Sequence, residues 1–305
     1  MIADAHPGKS GSISDTMNEP VTSIGRPQLS VNAFGITDAG RVRPSNEDQF
    51  LIAELTKTMR IWHTSLSEAK AQSGDEHGHL FLVADGMGGH LAGEQASALA
   101  VVAIEQFTLN TFKWFFHADA PDAQRVLAQF QMALRQADAR IVEESHEHPE
   151  WRGMGTTVTM AYHLDAQLCV VHVGDSRAYI FENDELHQVT QDHTLMADMI
   201  RRGVLQPEEA KHHRLRNVIT NVVGGNDAGV NVEGHALDVH PGDRLLLCSD
   251  GLTEMLTNEA IAAILRVEPD PKAACTKLVA QANEAGGRDN ITVVIVRFDP
   301  AAPAD

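Results

Sequence analysis

Five places in the 305-residue sequence set an Asp or Glu against an apolar run, beside glycine, asparagine or a second acid. They are Asn46-Glu47-Asp48, Ala84-Asp85-Gly86, Val173-Gly174-Asp175, Ser249-Asp250-Gly251 and Arg288-Asp289-Asn290. A carboxylate at a strand end is delivered to the edge of the sheet, and a neighbouring glycine lets a backbone carbonyl approach a ligand. Turns favour Asp and Gly for conformational reasons alone, so a single such pair carries little weight. Five together do, because clustered carboxylates repel unless cations neutralise them. No Cys or paired-His spacing lies nearby, so the donors are hard oxygens and the fitting ions are Mg2+ or Mn2+ rather than zinc.

Other chemistries fail on spacing at these residues. Asp85-Gly86-Met87-Gly88-Gly89 lies between a strand and a helix, as a dinucleotide fingerprint would, but Leu91 stands where the third glycine is required. Gly174-Asp175-Ser176-Arg177-Ala178 misses the nucleophile-elbow pattern by one residue, and β-rich Tyr179-Ile180-Phe181 follows instead of a helix. Gly8-Lys9-Ser10 ends like a phosphate-binding loop, yet Ala3 occupies the position of its first glycine.

Short β-rich runs must position the acids. They are expected over Ser30–Thr37, Gln49–Leu55, Leu80–Ala84, Thr156–His163, Leu168–Val173, Ala178–Phe181, Arg244–Cys248 and Ile291–Phe298. Helical patterns fall at Ala92–Phe107 and Asp122–Ser145, then at Asn258–Arg266 behind an N-cap Thr257. A last one runs from Asp270-Pro271, an N-cap and N1 pair, to about Ala285. Strands in blocks with helices in pairs point to α+β layers of antiparallel sheet, not a doubly wound parallel sheet. Residues 1–28 read as a mobile head, 29–299 as one domain and 300–305 as a short tail. The stretch 192–226, with helical patterns at Leu195–Arg202 and Pro207–His213, reads as a surface insertion.

Composition bounds the partners. With 24 basic against 42 acidic side chains the formal charge is −18, which disfavours a nucleic-acid or anionic-lipid surface. Cys169, Cys248 and Cys275 are odd in number and widely spaced, which fits a reducing, cytoplasmic setting without disulfides. Apolar stretches such as Ala96–Ile104 fall well short of the ~20 residues that span a bilayer, so no membrane insertion is expected.

Six segments in order carry a resemblance. These are Arg43-Pro44-Ser45-Asn46-Glu47-Asp48; Val83-Ala84-Asp85-Gly86-Met87-Gly88-Gly89-His90 with Gly93-Glu94; Gly153-Met154-Gly155-Thr156-Thr157; His172-Val173-Gly174-Asp175-Ser176-Arg177; Ser249-Asp250-Gly251-Leu252; and Asp289-Asn290-Ile291-Thr292. From about 30 to 298 the chain resembles the bacterial form of the metal-dependent protein serine/threonine phosphatases of the PPM or PP2C family. The resemblance implies a four-layer αββα sandwich, two central antiparallel sheets flanked by helix pairs. It implies that Asp85 bridges two metals, that Glu47 and the Gly86 carbonyl complete one, and that Asp250 and Asp289 belong to the other. Asp175 matches a residue that helps hold a weaker third ion, and Arg43 matches the phosphate-clamping arginine. Arg43, Asp85, Asp250 and Asp289 are thus the expected catalytic group, with Asp48, Asn290 and Thr157 standing behind it. Thr156 and Thr157 read first as cross-strand residues, with positioning of the site as the lesser role for either.

The implied reaction is hydrolysis of phosphoserine and phosphothreonine in proteins by direct attack of a metal-bridging water, using Mn2+ or Mg2+, in a monomer that opposes a Ser/Thr kinase. A non-catalytic phosphoprotein-binding module is the alternative from another class; a metal-dependent nuclease or small-molecule phosphatase would need the same ions. Met87 stands where eukaryotic members usually carry a histidine after the Asp-Gly pair. The general acid is therefore open among His90, a metal-bound water and bulk water. Asp192 and His193 open the insertion that corresponds to the family's flap. The remaining histidines, including His146, His148, His212 and His213, are expected to be solvated.

Overall fold

In the computed structural model, residues 29–58, 73–111, 123–210, 213–225 and 229–301 are described. The expected head at 1–28 and the last residues of the tail lie outside them, as do His212 and the side chain of His90. Two antiparallel sheets form the centre. One has the order β1 (Leu29–Asp38), β12 (Ile291–Pro300), β11 (Arg244–Cys248), β7 (Arg177–Glu182), β8 (Glu185–Gln188). The other runs β10 (Glu233–Asp238), β6 (Gln167–Val173), β5 (Val158–Leu164), β3 (Ser73–Met87), with β2 (Asp48–Thr58) on the far side of β3. The short strands β4 (Gly155–Thr156) and β9 (Val223–Gly224) extend that sheet past the end of β3.

Side-chain alternation along each strand explains the layering, since successive residues point to opposite faces. On β3, Phe81 and Val83 face the other sheet. They meet Leu245 and Leu247 of β11 and Val294, Val296 and Phe298 of β12 in the inner core. Leu80, Leu82 and Ala84 point outward onto α1 (His90–Thr111) and α2 (Ala123–Glu147). Leu246, Cys248, Val293 and Ile295 point the opposite way, onto α6 (Asn258–Val267) and α7 (Pro271–Glu284). Strands buried on both faces read as unbroken apolar runs, which is why β3, β6, β11 and β12 stand out in the sequence. Small Ala92, Ala96 and Ala100 at four-residue spacing let α1 lie close on the sheet. Thr257 and Asp270 cap α6 and α7 as expected, accepting from the N–H groups of Ala260 and Ala273.

The expected elements are present with three changes. The run expected from Thr156 to His163 is broken at Thr157, whose N–H turns to the Asp85 carbonyl at 2.9 Å. β8, β9, β10 and the one-turn helix α5 (Asp250–Thr253) were not anticipated. β10 is a sheet-edge strand whose residues alternate between half-buried and exposed, and it carries no apolar run to mark it. β8 follows Asn183 and Asp184, both at positive φ, a two-residue turn suited to a hairpin. The insertion holds α3 (Leu195–Arg201), one residue shorter than its pattern, and α4 (Pro207–Ala210), after which 211–212 lie outside the described residues. Among the described residues no helix is long and apolar enough to cross a membrane.

Candidate metal centre

Antiparallel register brings the acids to one edge of the sandwich. Asp48 opens β2 directly opposite Asp85 near the end of β3. In the other sheet Cys248 at the end of β11 pairs with both Val293 and Arg177. Asp250, Asp289 and Asp175 each stand two residues beyond an end of these paired strands, so the two sheets aim their acids at a shared cleft. The cleft opens into a cavity of about 290 Å³, bounded by Asp175, Asp250 and Glu254 on one side and by Met196, Ala197 and Ile200 of α3 on the other.

Backbone and side-chain hydrogen bonds fix the segments that carry Asp85, Asp48, Glu47 and Asp289. The Asp85 N–H donates to Thr157 Oγ1 at 3.1 Å, and the Asp85 carbonyl accepts from the Thr156 hydroxyl and the Thr157 N–H, each at 2.9 Å. Both threonines thus hold the Asp85 peptide, and Thr156 also pairs across the sheet with Gly86 and Val223. Asp48 Oδ2 accepts from Ser249 Oγ at 2.8 Å and Thr292 Oγ1 at 2.6 Å, tying β2 to the ends of β11 and β12. Asn290 braces the loop before β2: its Oδ1 accepts from the Glu47 N–H at 2.9 Å, and its Nδ2 donates to the carbonyls of Ala39 and Ser45. The Asn290 backbone N–H, not its side chain, reaches Asp289 Oδ1 at 2.8 Å. Gly86 and Gly93 permit the closest approach. A Cβ on Gly86 would lie 2.1 Å from the Gly93 carbonyl oxygen, and one on Gly93 would lie 2.0 Å from Glu47 Oε2. Arg43 is engaged with Asp289, Nη2 to Oδ2 at 2.6 Å, while its side chain stays 52% exposed at the mouth.

Electrostatics shows the crowding. Burial and then the charges of Asp48, Asp250, Asp175 and Asp289 hold the Asp85 carboxyl well above the usual carboxylate range. Asp250 is raised in the same way, by burial and then by Asp175 and Asp289. Asp175 is pushed up to about 6 by burial and Asp192, with Arg177 opposing. Asp250 Oδ1 is buried without a hydrogen-bond partner. An all-oxygen donor set that disfavours its own negative charge and leaves a buried carboxylate oxygen unbonded fits hard divalent cations.

Some neighbours had no expected role. Ser97 Oγ donates to the Glu47 carbonyl at 2.7 Å, and Arg177 forks onto Asp192 at 2.8 and 2.6 Å. The available signal was a hydroxyl inside an apolar strand for Thr292 and one directly after an apolar strand for Ser249. The histidines depart from expectation: His172 is fully buried and His163 nearly so, both on strands whose faces are covered. His148 is half-buried against the Trp151 ring, while His146 is exposed. Among the described residues, the one group of three potential ligands whose atoms lie within 4.8 Å is His172, His193 and Glu233, outside the acid cluster. The acids surround a wider space, which suits ligands shared between two ions.

Residues 68–285 match the model of the family described as protein phosphatase 2C. The chain belongs to that family. A relative, the serine/threonine phosphatase stp of Listeria monocytogenes serotype 4b, is 32% identical over 263 residues, covering 86% of this chain and 94% of the relative. Among solved structures, the S. agalactiae serine/threonine phosphatase superposes with TM-score 0.73 at 29% identity, covering 88% of this chain and 99% of its own. The catalytic domain of serine/threonine protein phosphatase PstP, solved with two manganese ions, superposes with TM-score 0.68 at 30% identity, covering 89% and 99%. The four-layer arrangement of the present chain is therefore that of the PP2C fold.

Proposed function

We propose that this protein is a divalent-cation-dependent phosphatase that removes phosphate from phosphoserine and phosphothreonine in proteins, with Mn2+ or Mg2+ as its ion, and so opposes a Ser/Thr kinase. One observation carries the reading: Asp85, Asp250, Asp289 and the loop holding Glu47 converge on one cleft edge, with Arg43 bonded to Asp289 at its mouth. The relatives named as serine/threonine phosphatases support it. Residues 29–299 would form the catalytic domain, with 192–226 as its flap.

Asp85 would be shared by two ions, with Glu47 and the Gly86 carbonyl on one and Asp250 and Asp289 on the other; Asp175 would help hold a weaker third. Two bound divalent cations would lower the pKa of a water and offset the charge on the transferring phosphoryl group. The chain's own residues do the rest. Thr157, Thr156 and Asp48 fix the Asp85 peptide and the strand ends, so the carboxylates need no rearrangement when substrate arrives. Arg43 carries a planar fork suited to two phosphate oxygens, and Asp289 holds it at the cleft while leaving it half exposed. Met87, 38% exposed beside the cleft, has no proton to give the leaving oxygen.

The test is hydrolysis of a phosphothreonine peptide, a nucleotide and single-stranded DNA, each with Mn2+ and with EDTA. Cation-dependent release of phosphate from the peptide in preference to the others is expected. Binding of phosphopeptide without turnover would favour the non-catalytic module.

A further inference from the structure

His193, at the root of the flap, joins three separate segments. Its backbone N–H donates to the Gly174 carbonyl at 2.7 Å, and its Nδ1 accepts the Gly174 N–H at 3.1 Å. Both peptide groups of the residue before Asp175 therefore end on one side chain and its own backbone. On the returning limb of the flap, the Thr220 N–H donates to the His193 carbonyl at 2.8 Å, and Asn221 Nδ2 donates to Nδ1 at 3.0 Å. Because Nδ1 is an acceptor, the ring proton of neutral His193 sits on Nε2, which faces Glu233 Oε2 on β10 at 3.2 Å. Burial alone would raise the Glu233 carboxyl; hydrogen bonds from His193 and His235 outweigh it and bring it to about 2, so the acceptor is a carboxylate.

Asp175 has little freedom inside this clamp. Gly174 sits at φ +115°, and a Cβ there would lie 2.5 Å from Thr157 Cβ, the residue whose hydroxyl holds the Asp85 N–H. On its other side Arg177 is forked onto Asp192, the neighbour of His193. Asp175 is thus flanked before and after by residues cross-linked to the first two residues of the flap.

Two imidazoles and a carboxylate within 4.8 Å also have the composition of a zinc site. The hydrogen bonds oppose that use. His172 Nε2 donates to the Gly174 carbonyl at 3.1 Å and its Nδ1 accepts from the Thr159 hydroxyl at 2.9 Å, while His193 Nε2 carries the proton its Nδ1 cannot. The His172 ring is spent on a backbone carbonyl and a hydroxyl, and the His193 ring on the Gly174 N–H, the Asn221 amide and the Glu233 carboxylate.

We propose that His193, steadied by Glu233, is a positioning residue for Asp175, so that attachment of the flap and cation binding at Asp175 form one mechanical unit. The proposal rests on the phosphatase reading only in taking Asp175 as a cation ligand. It is tested on the full chain by titrating Mn2+ and following free Mn2+ by electron paramagnetic resonance, with phosphopeptide turnover measured in parallel. In the wild type a weaker class of bound Mn2+ is expected beside a tighter one, and Asp175→Asn should remove the weaker class. His193→Ala should weaken it at least tenfold while leaving the tighter class within about twofold. His193→Asn, whose Oδ1 can still accept the Gly174 N–H without reaching Glu233, should recover most of that loss, and Glu233→Gln should cost about threefold.

A merely structural role would weaken both classes in proportion and would not be rescued by Asn; either result overturns the proposal. So would a weaker class of wild-type affinity in His193→Ala, or none in the wild type. So would stoichiometric Zn2+ binding that His193→Ala and Glu233→Ala both abolish. A wild type that shows the expected binding pattern but turns over no phosphopeptide sinks the phosphatase reading and leaves the positioning role supported.

Discussion

Two polar intrusions enter the sandwich along the same strand, and they handle burial in opposite ways. Asp85 near the end of β3 faces Asp48, Asp250, Asp175 and Asp289, and burial with like charge pushes its carboxyl up. His79 stands earlier on β3, about 20 Å away at ~3.4 Å per residue, paired across the sheet with His163. His163 is 2% exposed, with neither ring nitrogen in a well-aligned hydrogen bond, and its ring lies 4.8 Å from Phe298. Burial and then His79 lower it to about 4, against a weak contact with the Asp165 backbone. The imidazole escapes the penalty by losing its proton and stays neutral near pH 7. The carboxylates lose charge by gaining protons, or keep it if a cation arrives. The first intrusion therefore asks for a ligand, and the second asks only that the solution not be acidic.

The largest effect should come from removing one of the crowded acids. Asp250→Asn should lower kcat/KM for a phosphothreonine peptide with Mn2+ by at least about a thousandfold, roughly 4 kcal/mol of transition-state stabilisation. In EDTA the same variant should unfold at a higher temperature than the wild type, because one like charge has left a buried cluster. Retained activity, or a lower melting temperature in EDTA, would mean that Asp250 is not one of a set of mutually repelling acids that calls for a cation. Arg43→Ala should act next: it removes the exposed cation at the mouth and should raise KM about tenfold with a smaller change in kcat, read from steady-state kinetics.

The two intrusions were not equally legible. Asp85 and Asp250 announce themselves because each follows an apolar run and precedes a glycine, and strands covered on both faces leave such runs. Ser249 and Thr292 carry the Asp48 bonds, yet a lone hydroxyl among apolar residues does not say which way it points. His163 reads as one more histidine until the pairing of β3 with β5 places it against Phe298. The link between His193 and Glu233 depends on β10 pairing with β6, an edge strand with no apolar run of its own, so it was not visible before the fold.

A smaller effect follows from the sign of the His163 shift. Its folded pKa of about 4 lies below the ordinary value of 6.5, so the unfolded chain binds its proton first as pH falls. Stability from this group is complete above pH 6.5, declines at about 1.4 kcal/mol per pH unit through the window, and levels off near pH 4. His172, lowered to about 4 chiefly by burial, adds a second slope over the same range. His163→Phe should therefore lower the slope of unfolding free energy against pH in EDTA between pH 4.5 and 6.5 by about 1 kcal/mol per pH unit, while the raised carboxyls of Asp85, Asp250 and Asp175 keep contributing a slope of the opposite sign. An unchanged slope would mean that the protein answers acid through its carboxylates alone.

The smallest change sharpens the contrast by touching neither intrusion. Asp270 caps α7, its Oδ2 accepting from the Ala273 N–H at 2.9 Å on the outer layer. Asp270→Ala should cost about 1 kcal/mol in urea unfolding, the usual worth of a side-chain N-cap. It should leave both the Mn2+ response and the slope with pH where they were. If it shifted the Mn2+ response, the outer helix would be coupled to the acids through β12, against which α7 packs and whose first residue follows Asp289 and Asn290. The edge of the sandwich would then depend on the whole second sheet for its geometry rather than on the local bonds of Asp48, Thr157 and Asn290.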